Sequence, residues 1–262
     1  MKTNLLPKTV LVLGSLVAVG FLSPCRAQSI KTTVSTGFDY SYGKYGESTT
    51  TKVLFIPLTT RWDGDLWNVK LTVPYVRVSG PATVIPELGQ VGLPPRPTAA
   101  AESGIGDIVL AGSYGVIRNT GFEGPSVDLT GRVKFGTSDF SKGLGTGETD
   151  YSTQLDCYQS FGRMTPFGSF GYRVMGDPPG FNLRNHFYTT IGANYRINQR
   201  TVVGALFDWR QKLLAGGDAG AELTGYVEHR MTDSWRLLAY GLAGFSNASP
   251  DGGLGLSLGH VF

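Results

Sequence analysis

The chain has 262 residues, with 23 Lys and Arg against 20 Asp and Glu, and only 16% of it is charged. A soluble globular chain usually carries about a quarter charged residues; here Gly (37), Tyr (12) and Phe (14) are abundant instead. Two cysteines cannot make a disulfide scaffold, and no clustered basic face points to a nucleic-acid partner.

The chain opens on Lys2 and Lys8, an apolar run from Thr9 to Leu22, and the segment Ser23-Pro24-Cys25-Arg26-Ala27. A charged start, an apolar run and a small residue at the cut are the order of a secretory signal peptide, and the run is too short to span a bilayer comfortably as a helix. Residues 1–27 are therefore expected to be cleaved, leaving one domain over residues 28–262. Lipid attachment at Cys25 is the competing reading; Pro24 stands where such sites prefer a small residue. Lys2, Lys8 and Arg26 leave with the segment, so the 23 basic residues fall to 20, equal to the 20 acidic ones. Cys157 is then alone.

After the signal the sequence alternates with period two. Strands are expected at 30–42, 48–62, 66–79, 104–117, 125–137, 149–162, 165–176, 184–197, 200–211, 220–231, 234–246 and 252–262. In 66–79, Trp67, Val69, Leu71, Val73 and Tyr75 oppose Asn68, Lys70 and Thr72. In 125–137, Val127, Leu129, Val133 and Phe135 oppose Asp128, Thr130, Arg132 and Lys134. In 252–262, Leu254, Leu256, Leu258, His260 and Phe262 oppose Gly255, Ser257, Gly259 and Val261. A strand shows its side chains alternately to two faces, so each segment has an apolar and a polar face.

A soluble sandwich would alternate in the same way. Three features favour a membrane barrel instead. Many segments run ten or more residues, the length a tilted membrane strand needs. Short connections such as 63–65, 162–164, 198–199 and 232–233 alternate with longer ones at 80–103, 138–148, 176–183, 212–219 and 247–251, the rhythm of short periplasmic turns and long outer loops. Trp62, Trp67 and Trp235 flank short turns and Trp209 lies near the other end of its strand, as aromatic girdles do. The expected fold class is all-β: a transmembrane antiparallel up-and-down β-barrel of about twelve strands in the bacterial outer membrane, its partners being outer-membrane lipid and a small-molecule solute.

The stretches Gly104-Ile105-Gly106-Asp107, Lys134-Phe135-Gly136-Thr137-Ser138-Asp139, Gly143-Leu144-Gly145-Thr146-Gly147 with Asp150-Tyr151, and Ser249-Pro250-Asp251-Gly252-Gly253-Leu254-Gly255 resemble the outer-membrane barrel family assigned to transport in the meta-pathway of phenol degradation. The resemblance covers residues 100 to 262 well and the first two strands loosely. It implies an outer-membrane location and passage of small, aromatic molecules. The final strand also resembles the signal read by the barrel-assembly machinery, ending in Phe262, with His260 departing where an apolar residue is usual.

Several motifs suggest chemistry and lack its context. Gly255-Leu256-Ser257-Leu258-Gly259 has the pattern of a nucleophile elbow, but an elbow needs a helix to follow and only three residues remain. Gly143, Gly145 and Gly147 could suggest a phosphate cradle, but strands flank them; a flexible external loop is expected, with a gating role should 138–148 fold inward. His186, His229, His260 and Cys157 show no metal-ligand spacing. No catalytic residue, metal or cofactor is expected.

The inward charges carry more. Strand parity places Lys70, Asp107, Asp128, Arg132, Lys134, Asp156, Arg196, Asp208, Arg210, Glu222, Glu228 and Arg236 in the lumen as pore-lining candidates, because a midplane Arg or Lys facing lipid costs about 2–4 kcal/mol. Whether such charges leave a water-lined bore or pair and plug it is open at twelve strands, between filled small barrels and open large ones. The proline-bearing stretch Gly80–Ser103 is expected to constrict the mouth. The function expected is passive passage of a small molecule; an outer-membrane lipid hydrolase using His186, and a closed structural or adhesive barrel, are the alternatives.

Overall fold

The computed structural model describes residues 30–80, 84–85, 89–90, 101–119 and 124–262. The expected signal segment, and most of the Gly80–Ser103 stretch expected to constrict the mouth, lie outside the described residues. The strands are β1 (Lys31–Gly43), β2 (Thr51–Asp63), β3 (Trp67–Ser79), β4 (Val84–Ile85), β5 (Gly89–Gln90), β6 (Glu102–Ile105), β7 (Ile108–Ile117), β8 (Ser126–Phe135), β9 (Asp150–Tyr158), β10 (Met164–Val174), β11 (His186–Arg196), β12 (Thr201–Arg210), β13 (Gly220–Arg230), β14 (Trp235–Gly244) and β15 (Gly252–Val261). β4 and β5 form a small hairpin of their own.

The remaining strands make one antiparallel sheet in which each neighbours the next in sequence, except that β6 and β7 both pair with β3. β1 returns to β15, with Thr33 opposite Val261 and Tyr42 opposite Gly252, so the sheet closes on itself. Closure leaves no edge, as a strand structure in lipid requires. β6 and β7 lie end to end along β3, so the wall among the described residues has 12 positions.

The break between β6 and β7 has a local cause. Pro74 of β3 has no N–H to donate and sits opposite the break; the Gly106 N–H still reaches its carbonyl at 2.9 Å. A proline inside a sheet is confined to such irregularities. The expected strand 104–117 is therefore two segments. The expected strand 149–162 ends early, at Tyr158, because Phe161 and Met164 close a tight turn around Gly162, whose φ is 61°.

The two faces separate as alternation requires. Leu129, Leu155, Phe170, Ile191, Leu223 and Leu256 are exposed on the outside, an apolar belt that only lipid can solvate. Trp235, His260 and Phe262 form an aromatic group at the short-turn end, with His260 edge-on to the other two at 4.8 and 4.5 Å. His260 thus takes an aromatic's place in the girdle. Cys157 is exposed on this outer face, between the inward Asp156 and Tyr158.

Lumen and mouth of the barrel

Residues directly opposite in an antiparallel ladder share a face, so register places the candidate residues. One inner row runs Asp128, Asp156, Ser169, Thr190, Asp208 and Glu222 across six strands. A second joins Arg61, Lys70, Ala111 and Arg132. Arg196 and Glu228 lie in a third, each opposite Val202, and Arg210 faces Tyr188. Arg236 stands opposite Arg230, and Lys134 opposite Asp150. Asp107 occupies the break between β6 and β7, buried. All twelve parity-derived residues thus lie on the inner side. Asp39, Arg61, Asp150 and Arg173 lie there too and were missed, although the same parity applied to β1, β2, β9 and β10 would have found them.

Exposure along the bore is uneven. Near the short turns Lys70, Arg196, Glu228, Arg236 and Ser257 are partly exposed, whereas near the long loops Thr51, Lys134, Asp150 and His186 are buried.

The connection between β8 and β9 covers Lys134 and Asp150. Lys134, 5% exposed, donates from Nζ to Asp107 Oδ2 at 2.9 Å, Thr146 Oγ1 at 2.6 Å and the Glu148 carbonyl at 2.7 Å, with Asp150 Oδ2 at 3.3 Å. Asp107 also accepts from the backbone N–H groups of Ser138 and Thr146, at 3.0 and 3.1 Å. Both ends of the loop are therefore tied to one buried cluster. Between them Phe140–Lys142 form a short 3-10 turn started by Asp139 and ended by Gly143 at φ 66°. The Ser141 hydroxyl beside Asp139 holds that carboxyl below its ordinary range.

The loop reaches both walls. Leu144 packs with Tyr45, Val53, Val76 and Val78 on the β2–β3 side. Phe140 packs with Met175, Phe181, Leu183 and Leu213, edge-on to Phe181 at 6.0 Å, on the side of the β10–β11 and β12–β13 connections. The flexible external loop expected at Gly143, Gly145 and Gly147 is instead an anchored bridge across the mouth, because Lys134 and Asp107 satisfy its backbone from inside. A second anchor holds the β14–β15 connection: Arg210 meets Glu222 at 3.0 Å and the Ala248 carbonyl at 2.5 Å, and Ser249 donates to Glu222 at 3.0 Å.

Lower in the bore, tyrosines lie against the wall. Tyr188, Tyr226 and Tyr240 stand opposite Gly171, Gly204 and Gly255, and a methyl on any of these glycines would collide with the ring. Two hydroxyls are fixed, Tyr226 donating to Asn194 and Tyr240 to Asp39. The glycines let the rings lie flat and keep them out of the bore.

The motifs that suggested catalysis take other roles. Gly255–Gly259 runs straight through β15 with no elbow at Ser257. His186 is buried, its Nδ1 3.2 Å from the Arg184 carbonyl oxygen. Among the described residues no group of three or more His, Cys, Asp or Glu side chains could hold a metal ion.

No family model matches the chain, and no curated protein sequence matches it. Its fold does match solved structures. The crystal structure of an outer membrane channel from Pseudomonas putida F1 superposes with a TM-score of 0.65 at 13% identity, covering 94% of this chain and 100% of that one. The KdgM porin gives 0.54 at 8% identity, covering 88% of this chain and 99% of that one. The fold is that of an outer-membrane β-barrel.

Proposed function

We propose that this barrel is an outer-membrane channel through which small solutes pass down their own gradients. The observation that carries the reading is the inner wall: ionisable and hydroxyl side chains line a 12-strand lumen that is partly exposed toward the short turns and narrowed at the long-loop end by an inward-folded loop. A barrel built only as a scaffold needs no polar bore behind a bridged mouth. The likeness in fold to a channel and a porin supports the reading, and the resemblance of 100–262 to barrels assigned to phenol degradation favours small aromatic solutes. Short turns and both termini then face the periplasm, and the bridged mouth faces outward. On this reading Phe262 and β15 present the barrel to the assembly machinery.

Planar-bilayer recording from the refolded chain 28–262 tests the proposal: discrete, salt-dependent steps are expected. A second reading, a barrel closed at rest, is favoured by one observation, the near-complete burial of Tyr45, Thr51, Val78 and Thr146 at the mouth. It predicts silence in the native chain and conduction once the 138–148 loop is removed.

A further inference from the structure

Tyr45 combines three properties that no other described residue shares. It lies in the β1–β2 connection, yet is only 2% exposed. It is the one described non-glycine residue with a positive φ, 51°, a backbone region that bulky side chains seldom enter and that collects at switch and clamp positions. Its ring also touches the bridge across the mouth, packing with Leu144 and with Val53, Val76 and Val78 of β2 and β3.

Its ring edge lies beside Pro250 and Asp251 of the β14–β15 connection, next to Gly43. That connection is held to β12 and β13 by Arg210, which donates to the Ala248 carbonyl, and by Glu222, which accepts from Ser249, while Ser41 of β1 hydrogen-bonds the Tyr45 hydroxyl. Around the closed sheet β12 lies six steps from β3 in either direction, so Tyr45 stands between one wall and a connection anchored to the opposite one. Burial pushes the hydroxyl above the ordinary tyrosine range, so it is uncharged at neutral pH.

The bridging loop is fixed at both ends by Lys134 and Asp107. The β1–β2 connection differs: residues 44 and 46–50 are exposed, and within it the backbone bond is that from the Glu47 N–H to the Lys44 carbonyl at 2.8 Å. Of the groups filling the mouth, Tyr45 is thus the one carried by an exposed connection and held in a backbone conformation that favours another residue type.

We propose that Tyr45 is the gate of the channel: its ring closes the gap between the loop-bearing β2–β3 wall and the β14–β15 connection anchored on β12 and β13, and solute passes when the β1–β2 connection lifts it out. This rests on the channel reading above.

The test is single-channel recording of the refolded chain 28–262, its Tyr45→Gly, Tyr45→Asn and Tyr45→Phe variants, and a chain with residues 139–147 replaced by a short glycine-serine link. Folding of each is checked by heat-modifiable migration. Glycine and asparagine both accept the positive φ and remove the ring, so a fold lost in one is still tested by the other. Both should raise conductance or open probability several-fold, while Tyr45→Phe, which keeps the ring, behaves as the native chain. Native behaviour in both the Gly and Asn variants, with conduction by the native or loop-replaced chain, overturns the gate and leaves the channel standing. A Phe variant as open as the Gly variant overturns the assignment of the block to the ring. Silence in every folded chain, the loop-replaced one included, removes the channel reading and the gate with it.

Discussion

Lys134 on β8 donates to Asp107, at the break between β6 and β7, over 2.9 Å, with each side chain only 6% exposed. Removing one partner of a buried pair leaves the other charge uncompensated, at a cost of about 3–5 kcal/mol. Lys134→Met would strand both Asp107 and Asp150. The loop they anchor should then leave the mouth, and trypsin should cut after the exposed Lys142 faster than in the native chain. Equal cleavage rates in the two folded chains would mean that the loop is held by something other than this cluster.

The tyrosines laid on glycines make a prediction about bore size. Gly255→Ala would drive a methyl into the Tyr240 ring, and overpacking of this kind costs about 1–3 kcal/mol. The ring should tilt into the lumen, giving up its bond to Asp39 and lowering conductance. Gly225→Ala, where a methyl meets open space, serves as the control and should change nothing. If the two variants conduct alike, the glycines do not set the bore.

The outer and inner faces should respond oppositely to charge. Ile191, 60% exposed in the apolar belt, should tolerate Arg poorly, by about 2–4 kcal/mol if it lies near the midplane. Arg196, inward on the same strand, should accept Gln with little loss of folding in lipid vesicles. Arg196→Gln should instead move the reversal potential in a salt gradient toward cation preference, since it removes one lumen cation. An unmoved potential would take Arg196 off the permeation path.

The wall was legible in the sequence because period-two alternation is imposed by lipid on one side and a polar lumen on the other. Leu129 and Arg132 could face only one way each. The mouth was far less legible. Alternation says nothing about which way a connection turns, so Leu144 and Tyr45 read as loop residues although both are buried. The role of Lys134 depends on Asp107, Thr146 and Asp150 meeting it in space, and they are spread over 44 positions from Asp107 to Asp150. The break opposite Pro74 likewise needed the register of β3 against β6 and β7, which no single strand encodes.

Passage through the barrel is tested by planar-bilayer recording of the refolded chain 28–262 beside the chain whose residues 139–147 are replaced by a short link. Discrete, salt-dependent conductance steps are expected in both, larger in the loop-replaced chain because its mouth is no longer bridged. A folded, heat-modifiable barrel that conducts in neither form would show that this protein is not a channel.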